Sequence, residues 1–216
     1  MNLFERLKAD NQSPWEAYIN HEFVSELAGG ALPAESFKSY LCQDYLFLIQ
    51  FARAYALAAY KADNLDDIKQ ATGGLLAILD LEMDLHIKFC ADWGLTEADL
   101  KVVPEGQETM AYSRYVLEKG LSGDLLDLHV ALAPCIIGYA EIGIALKSSA
   151  IDNPYGAWIE MYASENYQRV AQAEIEQLDA LMTSRGGEGR FTALSKTFNQ
   201  ATSLEIAFWQ MGLEHK

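Results

Sequence analysis

Residues 33–61, PAESFKSYLCQDYLFLIQFARAYALAAYK, hold no Gly and no Pro beyond the first position. Phe37, Tyr40, Leu41, Phe47, Leu48, Phe51 and Tyr55 recur at helical spacing and fall on one stripe. A proline at the start of such a run has a preset φ and lacks only an N–H that would have no helical partner. The spacing predicts a helix opened by Pro33 and continuing to about Lys61. One charged residue interrupts the apolar stripe at its centre, Asp44.

The same periodicity extends in both directions. Ser13-Pro14-Trp15-Glu16 reads as a capping box with Pro14 at the first helical position, predicting a helix that runs to Gly29-Gly30. A third helix is expected from about Asp66 to Trp93, stopped by Gly94. Thr96 to Asp99 reads as a short capped turn closed by Pro104. Further helices are predicted over about Glu108–Lys119 and from Gly123-Asp124 to near Ser148, the latter with Pro134 inside it. After a turn at Asn153-Pro154, helix resumes to about Ser184 with a break near Ser164. A Gly-rich loop at 186–189 then precedes a last helix from Phe191 to about Met211. No stretch alternates with period two for long enough to be a strand. The expectation is an all-α, single-domain helical bundle over residues 1–216, with seven or more helices.

The chain has 216 residues and a formal net charge of -15, with no compensating basic stripe. Such a field repels phosphate backbones and acidic lipid surfaces, which argues against nucleic-acid and membrane partners. A neutral or cationic small molecule suits it better. The opening MNLFERLKADNQSPWE mixes charges into its apolar residues at once, unlike a signal peptide. Each later apolar run also reads as interrupted by Asp, Glu, Arg or Lys, so no membrane span is expected and the cytoplasm is the expected compartment. Cys42, Cys90 and Cys135 are widely spaced and match neither a disulfide framework nor a zinc motif, so they are read as reduced thiols.

Polar residues on apolar stripes carry the functional signal. Asp44 lies between Tyr40 and Phe47. In the last helix the stripe reads Leu194, Phe198, Ala201, Glu205, Phe208, with Trp209 beside it. In the helix containing Pro134 it reads Leu128, Leu132, Cys135, Tyr139, Ile142, Leu146. Carboxylates are seldom buried without partners, because removing their charge from water is costly. Two of them on separate core-facing stripes point to a polar pocket inside the bundle. Each also has a structural reading: either acid could cap a helix or bond a tyrosine, and free Cys is a common core residue. Pro134 weighs toward function, since it removes the helical partner of the Val130 carbonyl and is expected to kink the helix beside the thiol. Tyr112, Tyr115, Tyr139, Tyr162 and Tyr167 would suit a flat, uncharged heteroaromatic ring, although core packing accounts for such residues equally well. Metal readings find little support. There is no Glu-x-x-His, Glu82 and His86 look like a surface or core pair, and His21, His129 and His215 share no ligand spacing. A lone His21 as a haem ligand is the weakest of these readings. No metal and no cofactor are called for.

In order and spacing, the chain resembles the thiaminase II (TenA) family. The matching blocks are Gln43-Asp44-Tyr45, then Ala111-Tyr112-Ser113-Arg114-Tyr115, then Pro134-Cys135 with Gly138-Tyr139-Ala140-Glu141-Ile142-Gly143. Trp158-Ile159 with Tyr162-Ala163-Ser164 follows, and last Glu205 with Phe208-Trp209-Gln210-Met211. The resemblance implies a haem-oxygenase-like helical fold without haem, assembled as a homotetramer. It also implies a hydrolase of thiamin salvage that converts 4-amino-5-aminomethyl-2-methylpyrimidine to the hydroxymethylpyrimidine and ammonia, and can cleave thiamin. Carried over by position, Cys135 would be the nucleophile, Asp44 the ring-orienting carboxylate and Glu205 the proton-transfer residue. Tyr112, Tyr139, Tyr162, Phe47 and Phe208 would line the pyrimidine site. Two positions depart from the family pattern: Phe47 stands where a tyrosine is frequent, and Ile136-Ile137 where a tryptophan is expected.

On this reading Cys135 adds to the ring, the amine leaves, and water captures the methylene carbon. Apolar neighbours would favour a protonated Glu205 able to serve the leaving amine. Two alternatives stand beside it: a related haem-oxygenase-like bundle with other small-molecule chemistry, and a pyrimidine-binding or regulatory protein without turnover.

Overall fold

The computed structural model describes residues 1–214, the side chain of Leu81 excepted. His215 lies outside the described residues. In chain order the helices are α1 (Leu3–Asp10), α2 (Gln12–Ile19), α3 (Glu22–Ala28), α4 (Ala34–Lys61), α5 (Leu65–Ala77) and α6 (Met83–Asp92). They continue with α7 (Glu97–Val102), α8 (Gln107–Ser122), α9 (Leu125–Ala133), α10 (Tyr139–Leu146), α11 (Gly156–Ala163), α12 (Glu165–Arg185) and α13 (Phe191–Glu214). Among the described residues there is no strand. Two five-residue π-helical turns interrupt the regular helices, Ile78–Glu82 between α5 and α6, and Pro134–Gly138 between α9 and α10.

The chain divides into two compact units. The first joins Met1–Leu32 to His129–Gln210, and the second joins Pro33–Leu128 to the chain's end from Met211.

In the first unit the core is aromatic. Trp15 stacks on Phe198 at 5.4 Å and Phe23 on Trp209 at 4.9 Å, while Tyr18 lies edge-on to Trp15 at 5.6 Å. Burying a large apolar side chain of this kind contributes about 1.5–3 kcal/mol. The helix expected from Ser13 to Gly29 is two helices. α2 begins at Gln12 after Asn11, and the Ser13 capping box does not form; α2 has no side-chain cap at all. It ends at Ile19 because Asn20 turns its side-chain amide back onto the carbonyl of Glu16 at 3.0 Å. His21 then takes an extended ψ, and its Nδ1 accepts the N–H of Phe23 at 3.2 Å, capping α3. Short polar side chains that bond the local backbone compete with helix, and periodicity does not register them. His21 is therefore a helix cap in this chain.

The second unit is organised on α4, which begins after Pro33 and runs to Lys61 as its pattern predicts. Gln43 fixes it to the segment before α8. Its Nε2 donates to the carbonyl of Pro104 at 3.0 Å, and its Oε1 accepts from the Gly106 N–H at 2.9 Å and the Thr109 hydroxyl at 2.7 Å. At the other end of α8, the Lys61 ammonium bonds the carbonyls of Gly120 at 2.6 Å and Leu121 at 3.1 Å, where a cation offsets the helix C-terminal charge. The short capped turn expected at Thr96 is the helix α7, opened by a capping box in which Asp99 is the reciprocal partner of Thr96.

Charges do not by themselves exclude a span: the run Leu125–Ser149 is long and apolar enough to cross a membrane by length and composition, although Asp127, Glu141 and Lys147 lie within it. Within its most apolar window 83% of residues are buried in the protein, the pattern of a core helix.

Candidate active site

In the first unit, Cys135 sits on the π-helical turn Pro134–Gly138. Proline cannot donate the hydrogen bond that an α-helix would require at this place, and the expected kink is realised as a one-turn π segment. Side chains distant in sequence support that turn. Tyr18 Oη donates to the carbonyl of Pro134 at 3.2 Å, and Tyr167 Oη donates to that of Cys135 at 3.4 Å. Gln168 Nε2 donates to the carbonyls of Ala140 at 3.0 Å and Tyr162 at 2.8 Å. Gly138 is required for this packing, since a Cβ there would stand 2.2 Å from Cε1 of Tyr18. Gly143 allows α10 to approach α11 equally closely: a Cβ would lie 2.5 Å from the carbonyl carbon of Tyr162.

The Cys135 thiol is buried and donates to the carbonyl of Leu132 at 3.0 Å. Glu205, on α13, is 1% exposed. Tyr18 relates the two. Burial pushes its phenol well above the ordinary value, and the charges of Glu205 and Cys135, then Tyr167 and Tyr162, add to the rise. Tyr18 is therefore a neutral donor. Tyr139 and Tyr162 adjoin each other at 4.9 Å, with Trp158 4.6 Å from Tyr162 and Trp209 5.1 Å from Tyr139. Phe208, one turn beyond Glu205, is buried.

In the second unit, Asp44 is buried on α4. Its Oδ2 accepts from the Tyr40 hydroxyl at 3.4 Å and lies 3.5 Å from Nδ1 of His86 on α6. Burial raises the Asp44 carboxyl above the ordinary range, while His86 and the Tyr40 hydrogen bond pull it back. Glu82, at the end of the other π-helical turn, is pushed up to about 7 by burial and then by the charge of Asp44. Phe47, one turn along from Asp44, stacks on Tyr112 at 5.0 Å with 30° between the rings. The tyrosine-to-phenylalanine departure at this position therefore leaves an aromatic stack intact. Ile136 and Ile137, the other departure, are buried in the core of the first unit.

Cys135, Glu205, Tyr139, Tyr162 and Phe208 thus belong to the first unit, and Asp44, Phe47 and Tyr112 to the second. Sequence reasoning missed Tyr18, Gln168 and the coupling of His86 to Asp44. Tyr18 follows an ordinary aromatic spacing, and its partner Pro134 lies far along the chain. Glu82 and His86 were visible as a pair, yet nothing in their spacing connects them to α4. Among the described residues no group of three or more His, Cys, Asp or Glu is placed to hold a metal ion.

Residues 9–215 match the family described as TENA/THI-4/PQQC. The Halalkalibacterium halodurans protein named aminopyrimidine aminohydrolase is 36% identical over 220 residues, covering 100% of this chain and 97% of that protein. A solved structure from Silicibacter sp. TM1040, described as a TenA family transcription regulator, is 44% identical with a TM-score of 0.93, covering 98% of this chain and 96% of the other. A Shewanella denitrificans domain described as having a heme oxygenase-like fold gives a TM-score of 0.76 at 13% identity, covering 98% and 92% of the two chains. At that identity the likeness is one of fold, and the fold of this chain is haem-oxygenase-like.

Proposed function

This chain belongs to the TENA/THI-4/PQQC family, and from that premise we propose that it is an aminopyrimidine aminohydrolase of thiamin salvage. Its substrate is 4-amino-5-aminomethyl-2-methylpyrimidine, its products are the hydroxymethylpyrimidine and ammonia, and thiamin is a second substrate for the same chemistry. The observation that carries this reading is that Cys135, on the π-helical turn, and Glu205, on α13, are both buried and both act electrostatically on the buried phenol of Tyr18, which bonds the carbonyl before the thiol-bearing residue. A thiol and a carboxyl group sharing one aromatic, water-poor environment suit covalent catalysis with proton transfer.

The thiol of Cys135 adds across a C=N bond of the pyrimidine: sulfur bonds to the ring carbon and the proton passes to the ring nitrogen. Electrons from that nitrogen then expel the amine from the 5-methylene, and Glu205 donates the proton that releases it as ammonia. Water attacks the resulting exocyclic methylene and returns a proton to the Glu205 carboxylate. Sulfur departs with its electron pair, takes back the ring N–H proton, and leaves the aromatic alcohol. Asp44 accepts from the ring N–H or the exocyclic amine. Tyr112, Phe47, Tyr139, Tyr162 and Phe208 supply the apolar faces on which the ring rests. A homotetramer is part of the same proposal, to be read from light scattering on the eluting protein.

The name carried by the Silicibacter structure gives one reason to weigh a regulatory reading, in which a pyrimidine is bound and not turned over. Ammonia release separates the two. Purified protein given the aminomethylpyrimidine, with thiamin in parallel, should release ammonia in step with hydroxymethylpyrimidine. Tight pyrimidine binding with no ammonia would establish the regulatory reading in its place.

A further inference from the structure

The environment of His86 limits where its protons are. Its Nε2 lies 2.9 Å from the carbonyl oxygen of Leu41. A carbonyl only accepts, so Nε2 carries a hydrogen and donates it. The other nitrogen, Nδ1, lies 3.5 Å from Oδ2 of Asp44. Two protonation states satisfy that contact. Either Nδ1 also carries a hydrogen, giving an imidazolium beside a carboxylate, or Nδ1 is bare and Asp44 is the protonated acid. A bare Nδ1 facing an ionised Oδ2 would set two lone pairs against each other. Both side chains are about nine-tenths buried, which magnifies that conflict.

From this geometry we infer that His86 and Asp44 hold one proton between them, and that His86 is the positioning residue that fixes Asp44 for the pyrimidine edge. The inference rests on the proposed role of Asp44 in ring recognition. The contacts from Tyr40 and His86 both fall on Oδ2, so neither occupies Oδ1. An aminopyrimidine edge presents a ring nitrogen beside an amino group, and a carboxyl held at one oxygen offers it the other. With the shared proton kept on the Oδ2 side, Oδ1 accepts in either form, from the amino group or from a protonated ring nitrogen. The backbone contact matters equally: Leu41 is on α4 one turn before Asp44, so one imidazole spans both the carbonyl and the carboxyl of the same helix. The other titratable groups that sense Asp44 are Tyr40 on α4, Glu82 on the π-helical turn and Cys90 on α6.

The test is the binding of hydroxymethylpyrimidine, measured by calorimetry, together with steady-state kinetics on the aminomethylpyrimidine across pH. In His86→Gln the amide nitrogen replaces Nε2 toward Leu41 and the contact to Asp44 is lost. In His86→Asn it replaces Nδ1 toward Asp44. His86→Gln should raise Kd and KM by about tenfold, with kcat changed by less than about threefold. Because His86 favours the ionised form of Asp44, its loss should move the acid limb of kcat/KM to higher pH. His86→Asn should recover most of the affinity. Wild-type affinity and an unmoved acid limb in His86→Gln would overturn the inference. An equal fall of kcat, affinity and Tm with no recovery in His86→Asn would overturn it as well, by assigning His86 to the scaffold. Asp44→Ala distinguishes the two levels of failure. If it binds the pyrimidine normally, the role of Asp44 is wrong; if it binds weakly while His86→Gln binds normally, only the inference about His86 fails.

Discussion

Tyr18 donates its phenolic hydrogen to the carbonyl of Pro134 at 3.2 Å while its ring fills the space a side chain at Gly138 would need. One residue from α2 thereby holds the turn that bears the thiol from two sides. Tyr18→Phe keeps the ring and removes the donor. Thermal melts should show a loss of about 1 kcal/mol, the usual net value of a buried hydrogen bond. The rate at which a neutral alkylating reagent modifies Cys135 should change severalfold, and kcat should fall more than KM rises. Unchanged alkylation and kcat would reduce Tyr18 to a packing residue.

Gly138→Ala tests the other half of that relationship. The new methyl group meets an aromatic ring that is enclosed on all sides, so overpacking should cost about 1–3 kcal/mol in chemical denaturation. In a Tyr18→Leu background the same substitution should cost less, with a coupling above about 0.5 kcal/mol. Strict additivity of the two changes would show that the ring and Gly138 do not constrain each other.

Glu82 gives a prediction about pH. Its folded carboxyl is pushed up to about 7 from an ordinary 4.5, so between those values the folded chain holds a proton that the unfolded chain has released. Stability therefore falls as pH rises through that window, by at most about 3 kcal/mol, and the penalty is fully present above it. Glu82→Gln should match the wild type near pH 4 and melt at higher temperature than the wild type at pH 8. Parallel Tm-against-pH curves would show that Glu82 does not carry the effect.

His129 and Glu174 form a buried pair in the first unit, with Nδ1 2.9 Å from one carboxylate oxygen and 3.1 Å from the other. Removing one partner strands the other, so Glu174→Leu alone should cost about 3–5 kcal/mol. The double replacement of His129 and Glu174 by Leu should cost far less. Denaturant midpoints read this directly, and a double variant worse than either single one would contradict it.

Much of this arrangement could be read from spacing alone. Asp44, Glu205 and Cys135 stood out as polar residues on apolar stripes, and all three are buried. α4 followed from its uninterrupted run after Pro33, and the break at Ser164 is a helix cap. What escaped the sequence depends on side chains competing with backbone or on contacts between distant segments. Asn20 and His21 end one helix and begin another through their own hydrogen bonds, which leaves the apolar period intact. Pro134 signalled an irregularity, but a kink and a π-helical turn look alike in one dimension, because the difference lies in which donors reach the carbonyls of the turn itself. Those donors, Tyr18 and Tyr167, arrive from other helices. Likewise, Glu82 and His86 showed their mutual spacing but not the carboxylate they face.

The proposed chemistry depends on sulfur bonding to the pyrimidine. The most direct measurement is steady-state ammonia release by Cys135→Ser at saturating aminomethylpyrimidine, on protein shown by calorimetry to bind hydroxymethylpyrimidine as the wild type does. A serine hydroxyl cannot replace the thiol as nucleophile here, so turnover should drop by roughly a thousandfold or more. Turnover within about tenfold of the wild type would contradict covalent catalysis by Cys135.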